Sequence, residues 1–259
     1  MRELTARLRA AGCVAAEEEA RLLVGGVGDR EALERAVRRR EQGEPLAWIL
    51  GWSRFGGQRI GVAPGVYVPR PQTEALARRA AASLRPGGRL VDLCTGSGAI
   101  AAWVARARPD VEVVGVDVDA TAVACAAANG VPVIRAAVAD VPVRPASVDV
   151  VTAVAPYVPH DALDLLPADV RRYEPALALD GGAMGLEVIR EVVAAARTIL
   201  RPGGALLLEV GGAQDVLLRD AFAGFGVVES WRDEEGDLRG LVVEVDRGGE
   251  RGIAGDLDH

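Results

Sequence analysis

Leu90-Val91-Asp92-Leu93-Cys94-Thr95-Gly96-Ser97-Gly98-Ala99-Ile100 is the stretch whose reading decides the fold. A short apolar run carries a carboxylate near its end, and a loop with two glycines opens directly into an alanine-rich segment. Glycines at such a turn let the backbone pass close to a ligand where any Cβ would collide. Twenty-one residues after Gly96, a second apolar run, Val113-Val114-Gly115-Val116, ends at Asp117, an acid placed to bind a ribose diol. Together these features predict a nucleoside site at the carboxyl ends of neighbouring parallel strands.

Asp92 narrows the choice of nucleoside. A dinucleotide-binding turn lies against a pyrophosphate, which an extra carboxylate would repel. S-adenosylmethionine carries an α-ammonium and a sulfonium, so an acidic strand end attracts it. The competing reading is a tight strand-to-helix turn with no ligand.

From residue 75 onward, strand and helix patterns alternate. Strands are expected at 90–94, 112–117, 131–135, 148–153, 204–210, 226–231 and 240–245, with helices such as Ala99–Arg108, Ala120–Asn129 and Leu186–Leu200 between them. Such alternation predicts an α/β fold with a mostly parallel sheet covered on both faces. The last two strands are joined by Asp233-Glu234-Glu235-Gly236-Asp237, too short for a crossover helix, so an antiparallel hairpin closes the sheet. A seven-stranded sheet of this form is the Rossmann-like arrangement of Class I S-adenosylmethionine-dependent methyltransferases.

Ahead of it, residues 1–42 read as a small domain of short helices, with Leu4, Leu8, Leu22, Leu23, Leu33 and Val37 at helical spacing. The runs Glu17-Glu18-Glu19 and Arg38-Arg39-Arg40 read as solvated helix faces. Residues 43–74 read as strands and turns, a hairpin linking this helical arm to the main domain at 75–246. Residues 247–259 are polar and glycine-rich, and a flexible tail is expected.

Composition removes several function classes. The chain has 259 residues and a formal charge of −7, which argues against a broad nucleic-acid-binding face; no direct nucleic-acid binding is expected. All 30 basic residues are arginine, so a Walker-type lysine and Schiff-base chemistry are excluded. With His160 and His259 as the two histidines, neither a histidine metal site nor a Ser-His-Asp triad is expected. Cys13, Cys94 and Cys125 are far apart, which suits a reducing compartment. There is no apolar run of membrane-spanning length and no signal-peptide core, so a cytoplasmic location without membrane contact is expected.

Several separated stretches resemble one family, the protein-(glutamine-N5) methyltransferases of the HemK/PrmC group that act on peptide release factors. Gly43-Glu44-Pro45-Leu46-Ala47-Trp48-Ile49-Leu50-Gly51 is similar to that family's G-x-P-L-x-Y-I-L-G segment. Tyr67-Val68-Pro69-Arg70-Pro71-Gln72-Thr73-Glu74 resembles I-P-R-P-E-T-E, and Asp92 to Ile100 resembles D-L-x-T-G-S-G-A-I. Tyr173-Glu174-Pro175, Ala178-Leu179-Asp180-Gly181-Gly182, Gly185-Leu186, Arg201-Pro202-Gly203-Gly204 and Leu208-Glu209-Val210-Gly211 look like later blocks, in the right order.

The resemblance implies a S-adenosyl-L-methionine cofactor, released as S-adenosyl-L-homocysteine. It implies that Cys94, Thr95, Gly96, Ser97 and Gly98, with Asp92 behind them, wrap the methionine end. It also implies that Asp117 holds the ribose and that Asp140 and Val141 flank the adenine. Tyr67, as an aromatic wall, and Arg70 are the expected substrate-binding residues. The implied partner is a protein, a release factor carrying a Gly-Gly-Gln loop, presented by the helical arm.

The chain departs from the family at the expected reaction centre. Where the signature is N-P-P-Y, the sequence reads Val154-Ala155-Pro156-Tyr157. The family's Asn carbonyl accepts an N–H of the target amide, and valine has no acceptor. Loss of one such transition-state hydrogen bond costs about 10²–10³ in rate. Glutamine transfer at reduced rate, a cofactor-binding protein without turnover, and transfer to a different acceptor therefore all remain open.

Overall fold

The computed structural model describes residues 1–246, so the segment 247–259 expected as a tail lies outside the described residues. Three helices open the chain: α1 (Arg2–Ala10), α2 (Ala16–Gly26) and α3 (Arg30–Glu41). Their apolar faces enclose a core of Leu8, Cys13, Ala16, Ala20, Leu23, Ala36 and Val37. Asp29 caps α3 by accepting from the Ala32 N–H at 2.7 Å, supplying a partner that a helix start otherwise lacks. The two charge runs are only partly solvated. Arg40 pairs with Glu19 at 2.7 Å, tying α3 to α2, and Arg39 pairs with Glu44, while Glu17, Glu18 and Arg38 are exposed.

The linking segment differs from the expected strands and turns. Leu46–Leu50 forms a short helix, α4, bounded by Pro45 and by Gly51 in the left-handed region at φ 77°. The reason is tertiary: Leu46, Ile49 and Leu50 recur at helical spacing and pack on the arm's core. Only β1 (Trp52–Phe55) and β2 (Gln58–Gly61) form the hairpin. Trp48 donates its indole N–H to the Val66 carbonyl at 2.9 Å and packs with Val62 and Val66.

The main domain runs α5 (Glu74–Ser83), β3 (Arg89–Leu93), α6 (Ala99–Ala107), β4 (Glu112–Asp117), α7 (Ala120–Ala128), β5 (Val133–Arg135) and β6 (Val148–Ala153). It continues through α8 (Ala168–Tyr173), α9 (Glu187–Ile199), β7 (Leu200–Glu209), α10 (Gln214–Leu217), β8 (Val227–Arg232) and β9 (Leu238–Glu244). The seven strands are ordered β5-β4-β3-β6-β7-β9-β8. The first five are parallel to one another, and β9 is antiparallel to both β7 and β8. This is the expected Class I methyltransferase sheet, closed by the hairpin read from the short 233–237 connection.

Burial on both faces explains why the central strands read as near-continuous apolar runs. One face packs Leu76, Ala77, Ile100 and Val104 of α5 and α6 against Leu90, Val150 and Leu207. The other packs Ile189, Val192, Val193 and Ile199 of α9 against Val91, Val151, Leu206 and Leu208. The strand order reverses direction between β3 and β6, so the carboxyl ends of β3, β4 and β6 open onto one crevice.

Asp149 pins the opposite end of the sheet. It is buried, and it accepts from the Arg89 N–H at 2.8 Å, from Arg85 Nε at 2.6 Å and from Arg201 Nε. Burial pushes its pKa up, but these three donors outweigh it and hold the carboxyl below the usual aspartate range. A depressed folded pKa adds stability that is complete above the ordinary aspartate value and lost as pH falls through the folded one. Asp149→Ala, which strands the donors, is expected to cost about 2–3 kcal/mol in urea unfolding at neutral pH. The deficit should shrink toward pH 3; a deficit independent of pH would mean that packing, not charge, is at stake.

Candidate active site

A cavity of about 630 Å³ lies over the carboxyl ends of β3, β4 and β6. Asp92, Cys94, Thr95, Gly96 and Ser97 form one wall. Asp92 is 1% exposed and uses both oxygens: Oδ2 accepts from the Thr95 hydroxyl at 2.6 Å and Oδ1 from the Thr152 hydroxyl at 2.7 Å. Those bonds tie the glycine loop to β6 on the neighbouring strand. Burial raises the Asp92 pKa to about 6, because the two hydroxyls only partly offset the loss of water.

Asp117 ends β4 at the cavity rim. Its Oδ2 accepts from the Gly96 N–H at 2.8 Å and its Oδ1 from the Asp119 N–H at 3.0 Å, so the carboxylate is held in place before any ligand arrives. Burial pushes its pKa up, against these backbone donors. Gly96 has φ 56°, and a Cβ built there would meet nothing within 4 Å: the loop leaves room beside it. Gly98, expected to wrap the ligand, does not line the cavity; it starts α6 and abuts Ala126 and Val131.

The expected adenine-flanking pair is also displaced. Asp140 is exposed and Val141 packs against the sheet core; neither lines the cavity. Ala137, Val138, Val118 and Asp119 line the cavity instead. The short helical turn Val138–Asp140 rotates the acid outward while Val138 packs inward. Glu191 of α9 reaches the same cavity. Nothing in the sequence around it signals this, since only the packing of α9 brings its face to the site.

Val154, Ala155, Pro156 and Tyr157 follow β6 and line the other half, as do Tyr67 and Arg70. Arg70 donates to the Tyr67 hydroxyl at 3.2 Å and to Glu174 at 2.5 Å, and Glu174 also accepts from the Val68 N–H at 3.4 Å. This buried acid, part of the Tyr-Glu-Pro block, clamps the 67–70 segment against the 158–180 loop. Gly185 explains the Gly-Leu block: at φ 69°, a Cβ there would come within 2.3 Å of the Tyr157 carbonyl. Gln214, buried under the loop, donates to the same carbonyl at 3.1 Å. Met184, next to this glycine, is exposed.

Residues 90–175 match the model of a family described as "Methyltransferase domain". A protein named release factor glutamine methyltransferase from Gloeobacter violaceus is 38% identical over 232 residues, 83% of this chain and 79% of that one. The chain belongs to the release factor glutamine methyltransferase family. It is accordingly an S-adenosylmethionine-dependent methyltransferase, an enzyme of the α/β class its sheet describes.

A second relative carries a different name. The 4-amino-L-phenylalanine/4-methylamino-L-phenylalanine methyltransferase of Streptomyces pristinaespiralis is 37% identical over 190 residues, 69% of this chain and 65% of that protein. Among solved structures, the 16S rRNA N2 G1207 methyltransferase of T. thermophilus shares the fold, with a TM-score of 0.51 and 22% identity over 75% of this chain and 44% of that one. Among the described residues, no helix of this release factor glutamine methyltransferase family member is long and apolar enough to cross a membrane.

Asp117→Ala should weaken S-adenosylmethionine binding by about 10–100-fold in calorimetry, the worth of lost charge-assisted hydrogen bonds, while Asp140→Ala changes it less than about twofold. A raised Asp92 pKa means that below about pH 6 the wall loses the charge that favours a cation. Affinity should therefore fall about fivefold from pH 7 to pH 5, and by less in Asp92→Asn, where Asp117 is the raised carboxylate that is left.

Proposed function

We propose that this enzyme transfers a methyl group from S-adenosylmethionine to the side-chain amide nitrogen of a glutamine in a peptide chain release factor. One observation carries the reading: the carboxylate-bearing wall of β3 and β4 and the Val154–Tyr157 segment after β6 face a single continuous cavity. Cofactor and acceptor would thereby share one largely apolar space.

The residues fit the cofactor. Asp117, fixed by Gly96 and Asp119, would accept from the ribose hydroxyls. The open space beside Gly96 would take the methionine portion, and Asp92 and Glu191 would oppose its positive charge. Bound there, S-adenosylmethionine supplies both the methyl group and, in its sulfonium, the leaving group.

The chain's own task is alignment. Tyr67 and Tyr157 would offer aromatic surface to a flat amide, and the backbone carbonyls of Val154 and Ala155 would be the acceptors for its N–H groups. The helical arm and the linking segment would present the protein substrate; Tyr173 and Arg172 already bond the Gln42 carbonyl, at 3.1 and 3.5 Å. A release factor as acceptor puts the reaction in the cytoplasm, where translation occurs.

Val154 favours a second acceptor class. A valine beside the acceptor position suits an aromatic amine, the class in the name of the Streptomyces pristinaespiralis relative, better than it suits an amide.

Mass spectrometry of a release factor incubated with enzyme and cofactor separates the readings. A gain of one methylene on the glutamine of its Gly-Gly-Gln loop is expected, and Val154→Asn should raise its rate by up to about 10²–10³-fold. An unmodified release factor alongside a methylated aromatic amine would replace the first reading with the second. Tight cofactor binding with no methylated product from either would leave a binding protein without turnover.

A further inference from the structure

Three successive residues of the glycine loop are held by side chains from three different elements. Thr95 bonds Asp92 of β3, and Gly96 bonds Asp117 of β4, both acids of the cavity wall. The third tie comes from outside it. The carbonyl of Ser97, a residue 2% exposed, accepts from Nδ2 of Asn129 at 2.8 Å. Asn129 follows the last residue of α7, does not line the cavity, and is the chain's one asparagine.

The rest of that amide bonds the hairpin. Its Oδ1 accepts from the Gly61 N–H at 2.8 Å, and Nδ2 donates to the Gly61 carbonyl, also at 2.8 Å. Both amide protons and the oxygen are engaged, which fixes which way round the group sits. None of the three bonds returns to α7, so the side chain is not serving its own helix end. Gly61 closes β2, and a Cβ there would come within 3.0 Å of Oδ1, so glycine is what lets the backbone approach. The hairpin is itself firmly docked: Phe55 and Ile60 are fully buried in the cluster of α5 and α6, and Trp103 of α6 donates to the Gly56 carbonyl at 3.1 Å.

We propose that Asn129 is a positioning residue for the cofactor loop, and that through it the β1–β2 hairpin, not the sheet domain alone, sets the affinity for S-adenosylmethionine. The proposal rests on reading the cavity as the site of that cofactor. Ser97 lines the cavity next to Gly96, beside which the methionine portion would lie. A peptide group moves as one rigid plane, so a carbonyl held from behind carries the loop with it when Gly61 shifts. Without the amide the loop is ordered only when the cofactor binds, and affinity falls by that cost.

Calorimetry with S-adenosylmethionine reads the affinity. Asn129→Asp keeps the shape but sets an oxygen against two carbonyls, and should weaken binding by about tenfold or more. In turnover the KM for the cofactor should rise in step, while kcat falls far less. Gly61→Ala lies in the hairpin, outside the cavity, and pushes on Oδ1; it should weaken binding about threefold. In an Asn129→Ala background, where the atom it pushes on is gone, Gly61→Ala should change nothing further. Spectroscopy reads the same link without cofactor. No other serine of the chain precedes a glycine, so serine labelled with carbon-13 at its carbonyl and glycine labelled with nitrogen-15 give one joint signal, that of Ser97–Gly98. Gly61→Ala should move that signal, and should leave it in place when Asn129 is already alanine.

Unchanged affinity in Asn129→Asp overturns the proposal, as does a Gly61→Ala loss that persists in the Asn129→Ala background. A fall in kcat with no rise in the cofactor KM overturns it too, since the effect then lies in the transfer step. Where the Asn129 variants do not fold, Gly61→Ala decides by itself: weaker binding with a moved Ser97–Gly98 signal supports the link, and the absence of either overturns it. A chain that binds no S-adenosylmethionine defeats the cofactor reading instead. In that case the Ser97–Gly98 signal still decides the link, supporting it if Gly61→Ala moves it only when Asn129 is present and overturning it otherwise.

Discussion

The arrangement of the site depends on the Asp92 carboxylate, taken out of water and held between two hydroxyls. Thr95 brings the glycine loop to one oxygen and Thr152 brings β6 to the other. One buried acid thus sets the distance between the loop that would hold a cofactor and the strand that leads to Val154. Its elevated pKa is the physical cost of that placement, since a half-solvated acid would sit closer to its ordinary value. The cost is tolerable because a cationic ligand favours the ionised form. The group that defines the site's geometry also defines its preference for positive charge.

The other half of the cavity is built differently, by loops held from outside the sheet. Segment 67–70 reaches it from the linking region, and the 154–186 segment reaches it from β6. Neither has sheet hydrogen bonds to fix it throughout, so polar side chains do the fixing: Arg70 with Glu174, Gln214 with Tyr157, and Glu209 with Thr73. Each of these bonds joins residues more than fifty positions apart in the chain. The loop walls themselves are largely apolar, and the polar groups stand behind them. A surface of that kind discriminates by shape and by the few hydrogen-bonding atoms that reach it, which gives the single change from Asn to Val its weight.

Three strands approach the same end of the sheet carrying acids: Asp92 in β3, Asp117 in β4 and Glu209 in β7. The first two were readable as site residues because a glycine loop follows one and ribose spacing separates them. Glu209 had a signal of the same type, a charge closing the apolar run Leu206-Leu207-Leu208, but it stands beyond any nucleotide-binding spacing. Its neighbourhood becomes visible only when the fold brings Thr73 to it. Asp140 erred in the other direction. A rim acid after a strand is a sound expectation, yet one turn of helix decides whether it faces the cavity or water, and here it faces water.

Local pattern determined what depends on local geometry: the alternation of strands and helices, the antiparallel closing hairpin, the glycine turn, and the acids at 92 and 117. Those features follow from periodicity, chain length between elements and the left-handed backbone that glycine permits, all of which a short window contains. Tertiary structure alone decided that Leu46–Leu50 is helical, that Arg40 pairs with Glu19, that Val138 lines the cavity in place of Asp140, and that Glu191 reaches it while Glu174 and Glu209 hold Arg70 and Thr73 of its wall. Each of those outcomes is set by which distant surface supplies the partner. A buried charge or an apolar side chain adopts the conformation in which its partner can be met, and the partner's position is a property of the packed chain.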